Sequence, residues 1–317
     1  MHNDSGKNTY IYTYACSVDE ISLCQMELRC VFGEEISSSI FESEIEFDVS
    51  RSPFIKERID VMYEGDTLPE IYDQVEQVEL GGKSFKVIFV KINDLSPEEK
   101  IEYDERRVIE REIGLRIEGE ADVNHPELVY GIVTLGGRWY FGSYHKNEAT
   151  WLRQMKKPQS YSIALSTRVA RAAVNMAIPN PKGIRAIDPC CGIGTVMIEA
   201  LSMGIDIVGR DINPLIAAGA RTNIAHFGFS AEVTLGDIAD ITEHYDVAIV
   251  DMPYNLYSSI TPEEQFAILT NARRIADRVV IVAIEAMDEM INEAGFTIMD
   301  RCIAKKAGFS RHLMLCR

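Results

Sequence analysis

Asp251-Met252-Pro253-Tyr254 is the segment whose residue types say most about chemistry. An amine attached to an aromatic ring is a poor nucleophile, because its lone pair is delocalised into the ring. Two acceptors near its two N–H bonds draw the nitrogen toward tetrahedral geometry. The Asp251 carboxylate supplies one acceptor here and the main-chain carbonyl of Met252 the other. Pro253 stiffens the turn and biases Met252 toward an extended backbone. Tyr254 offers a flat face on which an extruded base can stack. Catalysis by such a group is mostly positioning, with the amine about 3 Å from the carbon it attacks. It requires no metal.

A second group lies upstream, in Asp188-Pro189-Cys190-Cys191-Gly192-Ile193-Gly194-Thr195. Gly192 and Gly194 let the backbone approach a ligand closely, and the helix that Thr195 opens presents free N–H groups. Asp211 follows 19 residues after Gly192, where a carboxylate can accept hydrogen bonds from ribose hydroxyls of an adenine nucleoside. Asp237 is placed to contact an adenine amino group. The loop has no lysine of the phosphate-binding type, which disfavours a nucleoside triphosphate. Cys190 and Cys191 read as packing residues in the wall of the loop. Either group alone fits an ordinary strand-end turn. Their placement at the ends of successive strands is what joins them.

The elements that must position these residues alternate from residue 183 onward. Short apolar strands are expected at 184–187, 205–209, 233–235, 245–250 and 279–284, with helices at 195–203, 214–227, 262–276 and 288–294. Strands at 296–303 and 311–316 close the chain as a hairpin. Alternation of this kind implies a parallel sheet with helices on both faces, its last strand antiparallel. Ligands bind along the carboxyl edge of such a sheet. The first half reads as a smaller α+β domain. It has strands at 9–14 and 84–92, a helix at 19–32, a helix opened by Ser96-Pro97-Glu98-Glu99, and a hairpin turning at Gly136-Gly137. The expected division is an N-terminal domain over 1–148, a basic connector helix within 149–182, and the sheet domain over 183–317.

The chain of 317 residues carries a formal charge of −17. Residues 1–150 hold 31 acidic and 15 basic residues, whereas 151–182 hold six basic residues and no acidic one. Within that stretch Arg168 and Arg171 stand one helical turn apart, spaced to meet backbone phosphates or, equally, to form salt bridges. The seven cysteines include no CxxC pair, which fits reduced thiols and disfavours zinc. No apolar run reaches membrane-spanning length, and the N-terminus has no signal-peptide pattern. A cytoplasmic location without membrane partners is expected. The oligomeric state has no sequence signature here.

The pairing of DPCCGIGT with DMPY, in that order, resembles class I methyltransferases that act on exocyclic amino groups. Within that class the chain is similar to the tRNA guanosine-N2 methyltransferases that carry a THUMP RNA-binding domain. The likeness spans about 125–317, including the closing Gly308-Phe309-Ser310-Arg311-His312 turn, and 125–142 is similar to the end of a THUMP domain. It implies a Rossmann-like sheet, S-adenosyl-L-methionine as cofactor, and RNA, in particular tRNA, as substrate. Asp188, Cys190, Cys191, Gly192, Gly194, Thr195, Asp211 and Asp237 would then face the cofactor, and Asp251 to Tyr254 the target amine. Met252 departs from the family's first proline, and Cys190 from a common aromatic residue. A DNA adenine-N6 or cytosine-N4 methyltransferase shares the Asp-x-Pro-Tyr logic, and a silent cofactor-binding scaffold would keep the fold.

Overall fold

The computed structural model describes residues 8–92, 100–160, 164–253, 260–306 and 309–317. The chain divides into two compact units. The first comprises 1–15, 36–50 and 54–148, and the second 16–35, 51–53 and 149–317. This is not the single cut near residue 148 that the sequence suggests. Two N-terminal segments belong to the C-terminal unit.

The first unit holds a six-stranded sheet of β1 (Tyr10–Tyr14), β2 (Ile40–Ser43), β3 (Ile55–Gly65), β4 (Phe85–Phe89), β5 (Leu128–Leu135) and β6 (Arg138–Lys146). Its order is β2-β1-β3-β6-β5-β4, antiparallel except for the β4–β5 pair. Helix α1 (Ile21–Phe32) intervenes in sequence but lies in the second unit. Helices α2 (Leu68–Val75) and α3 (Tyr103–Gly114) cover one face of this sheet, where Ile71, Val75, Ile109 and Ile113 pack on Phe85, Ile132 and Phe141. Ile11, Ile59, Val133 and Tyr140 form a separate apolar cluster. The hairpin at Gly136-Gly137 forms as expected. The capping sequence at 96–99 lies outside the described residues.

In the second unit a seven-stranded sheet carries the alternation read from the sequence. Its strands are β7 (Arg185–Asp188), β8 (Asp206–Asp211), β9 (Val233–Leu235), β10 (Tyr245–Asp251), β11 (Ala276–Ala283), β12 (Ile298–Lys306) and β13 (Phe309–Cys316). The order is β12-β13-β11-β10-β7-β8-β9. Strands β7 to β11 and their pairings are parallel, and β13 runs antiparallel to both its neighbours. The winding therefore reverses between β7 and β10, which is where open α/β sheets form a crevice. Asp188 ends one strand of that pair and Asp251 ends the other.

The helices are α4 (Thr167–Ala177), α5 (Thr195–Ser202), α6 (Pro214–His226), α7 (Pro262–Ile275) and α8 (Asp288–Glu293). Their starts are fixed by local chemistry. Asn213 caps α6 by accepting from the N–H groups of Leu215 and Ile216, with Pro214 at the first helical position. Thr261 and Glu264 form a reciprocal capping box on α7, with Pro262 again first. Ser166 caps α4. That helix takes up only part of the expected 149–182 stretch, in which 161–163 lie outside the described residues. It is no surface connector: Ala170 to Ala177 are all buried. Arg171 is 1% exposed and donates to Glu199 at 2.8 Å and to Ser202 at 2.9 Å. Arg168 forms an ion pair with Glu20 at 2.9 Å and lies over the Trp151 ring. Carboxylates of the same unit thus engage both guanidinium groups, the salt-bridge alternative of that spacing. Burial removes Arg171 from contact with a phosphate, whereas the Arg168 side chain is 33% exposed.

Candidate active site

The strand-to-helix loop after β7 reaches the carboxyl edge of the sheet in left-handed backbone. Gly192 has φ +55° and Gly194 φ +81°, conformations that cost a side-chain-bearing residue about 1–2 kcal/mol. The Gly192 N–H donates to Asp211 Oδ2 at 2.9 Å, and the Asn213 N–H donates to Asp211 Oδ1 at 2.8 Å. The loop is thereby tied across to the end of β8. Each Asp211 oxygen keeps a second lone pair for a ligand hydroxyl. Asp188 is 2% exposed and accepts from the Cys190 N–H at 3.3 Å. Asp237 caps a short 3-10 turn by accepting from the Ala239 N–H at 2.8 Å.

These residues surround one cavity of about 600 Å³. Asp188, Cys190, Gly192, Thr195, Asp211, Asp237, Asp251, Met252 and Pro253 all line it. Cys191 lines it too and is buried, its thiol pushed far up by burial and the nearby carboxylates. Gly194 is not among the lining residues. It takes the N-cap position of α5 in left-handed conformation, so its contribution is to the turn. The Thr195 hydroxyl is buried and has no hydrogen-bond partner among the described residues. The far wall comes from α7, through Glu264, Ala267, Ile268 and Asn271, which the sequence had not indicated.

The electrostatics follow from burial. Asp188 is raised well above the usual carboxylate range, first by burial and then by the charges of Asp251 and Asp211. Burial also raises Asp211, against the two N–H groups that favour its ionised form. Asp251 is pushed up to about 7 by burial, against the pull of Arg311. Arg311 Nη1 donates to Asp251 Oδ1 at 3.0 Å, and its side chain is 8% exposed. Sequence reasoning reached Arg311 as part of a closing turn and gave it no role. Of that turn, Gly308 lies outside the described residues, as does Tyr254.

A cavity walled by carboxylates suits a ligand with positive charge, and paired acceptors at Asp211 suit vicinal hydroxyls. A sulfonium nucleoside has both properties, so the donor set fits S-adenosylmethionine. Comparison with known proteins decides the class. The RMKL-like methyltransferase-domain family matches residues 154–272. That match takes in the loop after β7, Asp211, Asp237 and Asp251. The chain is 27% identical over 273 residues to the tRNA (guanine(10)-N2)-dimethyltransferase of Methanothermobacter thermautotrophicus, covering 78% of this chain and 79% of that one. It is 33% identical over 112 residues to the Pyrococcus abyssi enzyme of the same name, a third of each chain. Among solved structures it is similar to TrmN from Thermus thermophilus, at 15% identity and a TM-score of 0.47, covering 98% and 99% of the two chains. The chain is an S-adenosylmethionine-dependent methyltransferase, and the methyltransferase domain holds its cavity. Among the described residues no helix is long and apolar enough to cross a membrane.

Proposed function

We propose that this methyltransferase modifies the exocyclic N2 amine of a guanosine in tRNA. The observation that carries the reading is the convergence of Asp251 and Met252 on the cavity that Asp211 and the 188–195 loop enclose. The relatives named as tRNA (guanine(10)-N2)-dimethyltransferases supply the substrate class.

The cofactor supplies an electrophilic methyl group. Asp211 would hold its ribose hydroxyls, and Asp237 its adenine amino group. Asp188, Cys190, Cys191, Gly192, Gly194 and Thr195 shape the wall around it. The Asp251 carboxylate and the Met252 carbonyl accept from the target N–H groups and orient the nitrogen lone pair toward the methyl group. Transfer would form the N–C bond as the sulfonium–methyl bond breaks to leave a neutral thioether, and the cationic nitrogen would pass one proton to the ionised Asp251 carboxylate. Tyr254, outside the described residues, would offer its ring to the base. Burial of Met252, 1% exposed, limits water at the reacting centre. Exposed Arg153, Lys156 and Lys182 remain for backbone phosphates in place of Arg168 and Arg171.

The test is transfer of labelled methyl groups to purified tRNA, followed by nucleoside mass spectrometry. N2-methylated guanosine is the expected product. Label on adenine or cytosine of DNA would replace the substrate. Tight cofactor binding with no transfer to any nucleic acid would leave a scaffold instead.

A further inference from the structure

Strand register brings a residue from the last hairpin to the reacting carboxylate. Asp251 pairs with Val282, and Val282 pairs with Leu313. Residues in register across a sheet share a face, and residues two apart on a strand share it as well. Arg311, two before Leu313, therefore stands on the Asp251 side of the sheet, one step farther toward its carboxyl edge. Its guanidinium spans the end of β11 to reach Asp251 Oδ1 at 3.0 Å. The two partners lie 60 positions apart in sequence.

We propose that Arg311 is a positioning residue for methyl transfer, which holds Asp251 ionised and commits Oδ1 so that Oδ2 receives the target amine. This rests on the amino-methyltransferase reading of the same site. Arg311 does not line the cavity and acts on it through Asp251. Other groups around Asp251 work the opposite way. Asp188 and Cys190 on the β7 turn, and Asp211 at the end of β8, are negative or neutral. Glu264 on α7 is engaged in its capping box, and Glu285 beyond β11 lines a small adjoining cavity with Met252 and Pro253. Among the described residues Arg311 is the cation that lowers Asp251, against its burial. Burial already brings Asp251 to about 7 with Arg311 in place. Removing the guanidinium raises it further, so the ionised, accepting form is lost at neutral pH.

The experiment measures turnover against pH on tRNA for wild type, Arg311→Lys, Arg311→Met and Asp251→Asn, with cofactor affinity measured on each. Wild-type turnover should rise with pH to a plateau beyond about 7, and Asp251→Asn should lack that limb. Arg311→Met should lose on the order of 10–100-fold at pH 7, a change of about 1.4–2.7 kcal/mol in barrier. Its acid limb should move to higher pH by at least one unit, and activity should recover as pH rises. Cofactor affinity should stay within about threefold. Arg311→Lys should restore most of the rate and keep the limb near wild type. A readout without turnover is the carboxyl 13C titration of aspartate-labelled protein, assigned to Asp251 by its loss in Asp251→Asn. An acid limb that persists in Asp251→Asn, or stays in place in Arg311→Met, overturns the proposal, and the former needs no arginine variant to fold. No transfer by wild type to any RNA would overturn the function reading itself.

Discussion

The C-terminal unit buries two sets of carboxylates that differ in what surrounds them. Glu27 and Glu199 are each 0% exposed. Asn175 and Ser52 donate to the two oxygens of Glu27. Arg171 donates to Glu199. Asp188, Asp211 and Asp251 line the cavity instead. Burial raises the proton affinity of every one of these groups. A perturbed carboxylate is therefore no mark of function by itself. The distinction is whether the acceptor capacity left after the fold's own donors is closed in the interior or opens onto a cavity.

That contrast can be broken most visibly at Asp251. Replacing it with Ala should cut turnover by about three orders of magnitude while cofactor and tRNA affinities change little, because the lost acceptor acts mainly in the transition state. Methyl-transfer kinetics beside calorimetry check this, and full activity in Asp251→Ala would end the amino-methyltransferase mechanism. Arg171→Met should act on the other set. It strands Glu199 in the interior and should destabilise the protein by about 3–5 kcal/mol, read by denaturant melts. Cofactor affinity of the folded fraction should be unaltered. If tRNA affinity alone fell, with stability intact, the phosphate reading of Arg171 would return.

Asp211→Ala should weaken cofactor binding about 100-fold with the fold retained, as lost charge-assisted hydrogen bonds cost a few kcal/mol. Unchanged affinity would remove Asp211 from the site. The smallest effect is expected at Glu27→Gln. Folded Glu27 has its proton affinity raised from 4.5 to about 7. Its contribution to stability is thus fully present below about pH 4.5 and is lost as pH rises through about 7. An amide cannot ionise, and the Ser52 hydroxyl can turn from donor to acceptor. The variant should stay within about 1 kcal/mol of wild type at neutral pH, with a smaller fall in stability between pH 5 and 8. A large loss at pH 7 would show that the charge of Glu27 is structural.

The strand–helix alternation from 183 onward was legible because each strand is a short apolar run between turn residues, and the site residues fall at strand ends. Other features left weaker traces. Strand β3 carries Lys56, Glu57, Arg58 and Asp60, and its register shifts between Val61 and Tyr63, so the two-residue alternation that marks a strand is interrupted. Arg168 and Arg171 have a spacing that serves phosphates and buried partners alike. Ala170, Ala172, Ala173 and Ala177 of α4 held the clue, since small side chains let neighbouring elements approach a helix closely. Arg311 meets Asp251 through three adjacent strands, and no linear spacing encodes that. The assignment of α1 to the second unit was equally hidden, because nothing in a contiguous N-terminal stretch announces that it packs with residues 270 positions later.

Helix α1 has a consequence for how the chain is made. It sits beside the edge strand β12, where Arg29 holds Asp300 with two hydrogen bonds of 2.9 Å and Ser22 Oγ accepts from the Ile303 N–H. Glu27 of the same helix receives Asn175. A ribosome releases residues 21–32 long before β12 exists, so Ser22 and Arg29 wait for their β12 partners while residues 36–148 and five strands of the second unit are synthesised, although α4 is available to the helix earlier. At about 5–20 residues per second the wait lasts on the order of 15–60 s. A segment that emerges among the first thus completes its contacts among the last. A gene fragment beginning at residue 149 would encode the cofactor loop and the reacting carboxylate yet leave the open edge of the sheet without its cover, a template for strand-to-strand aggregation.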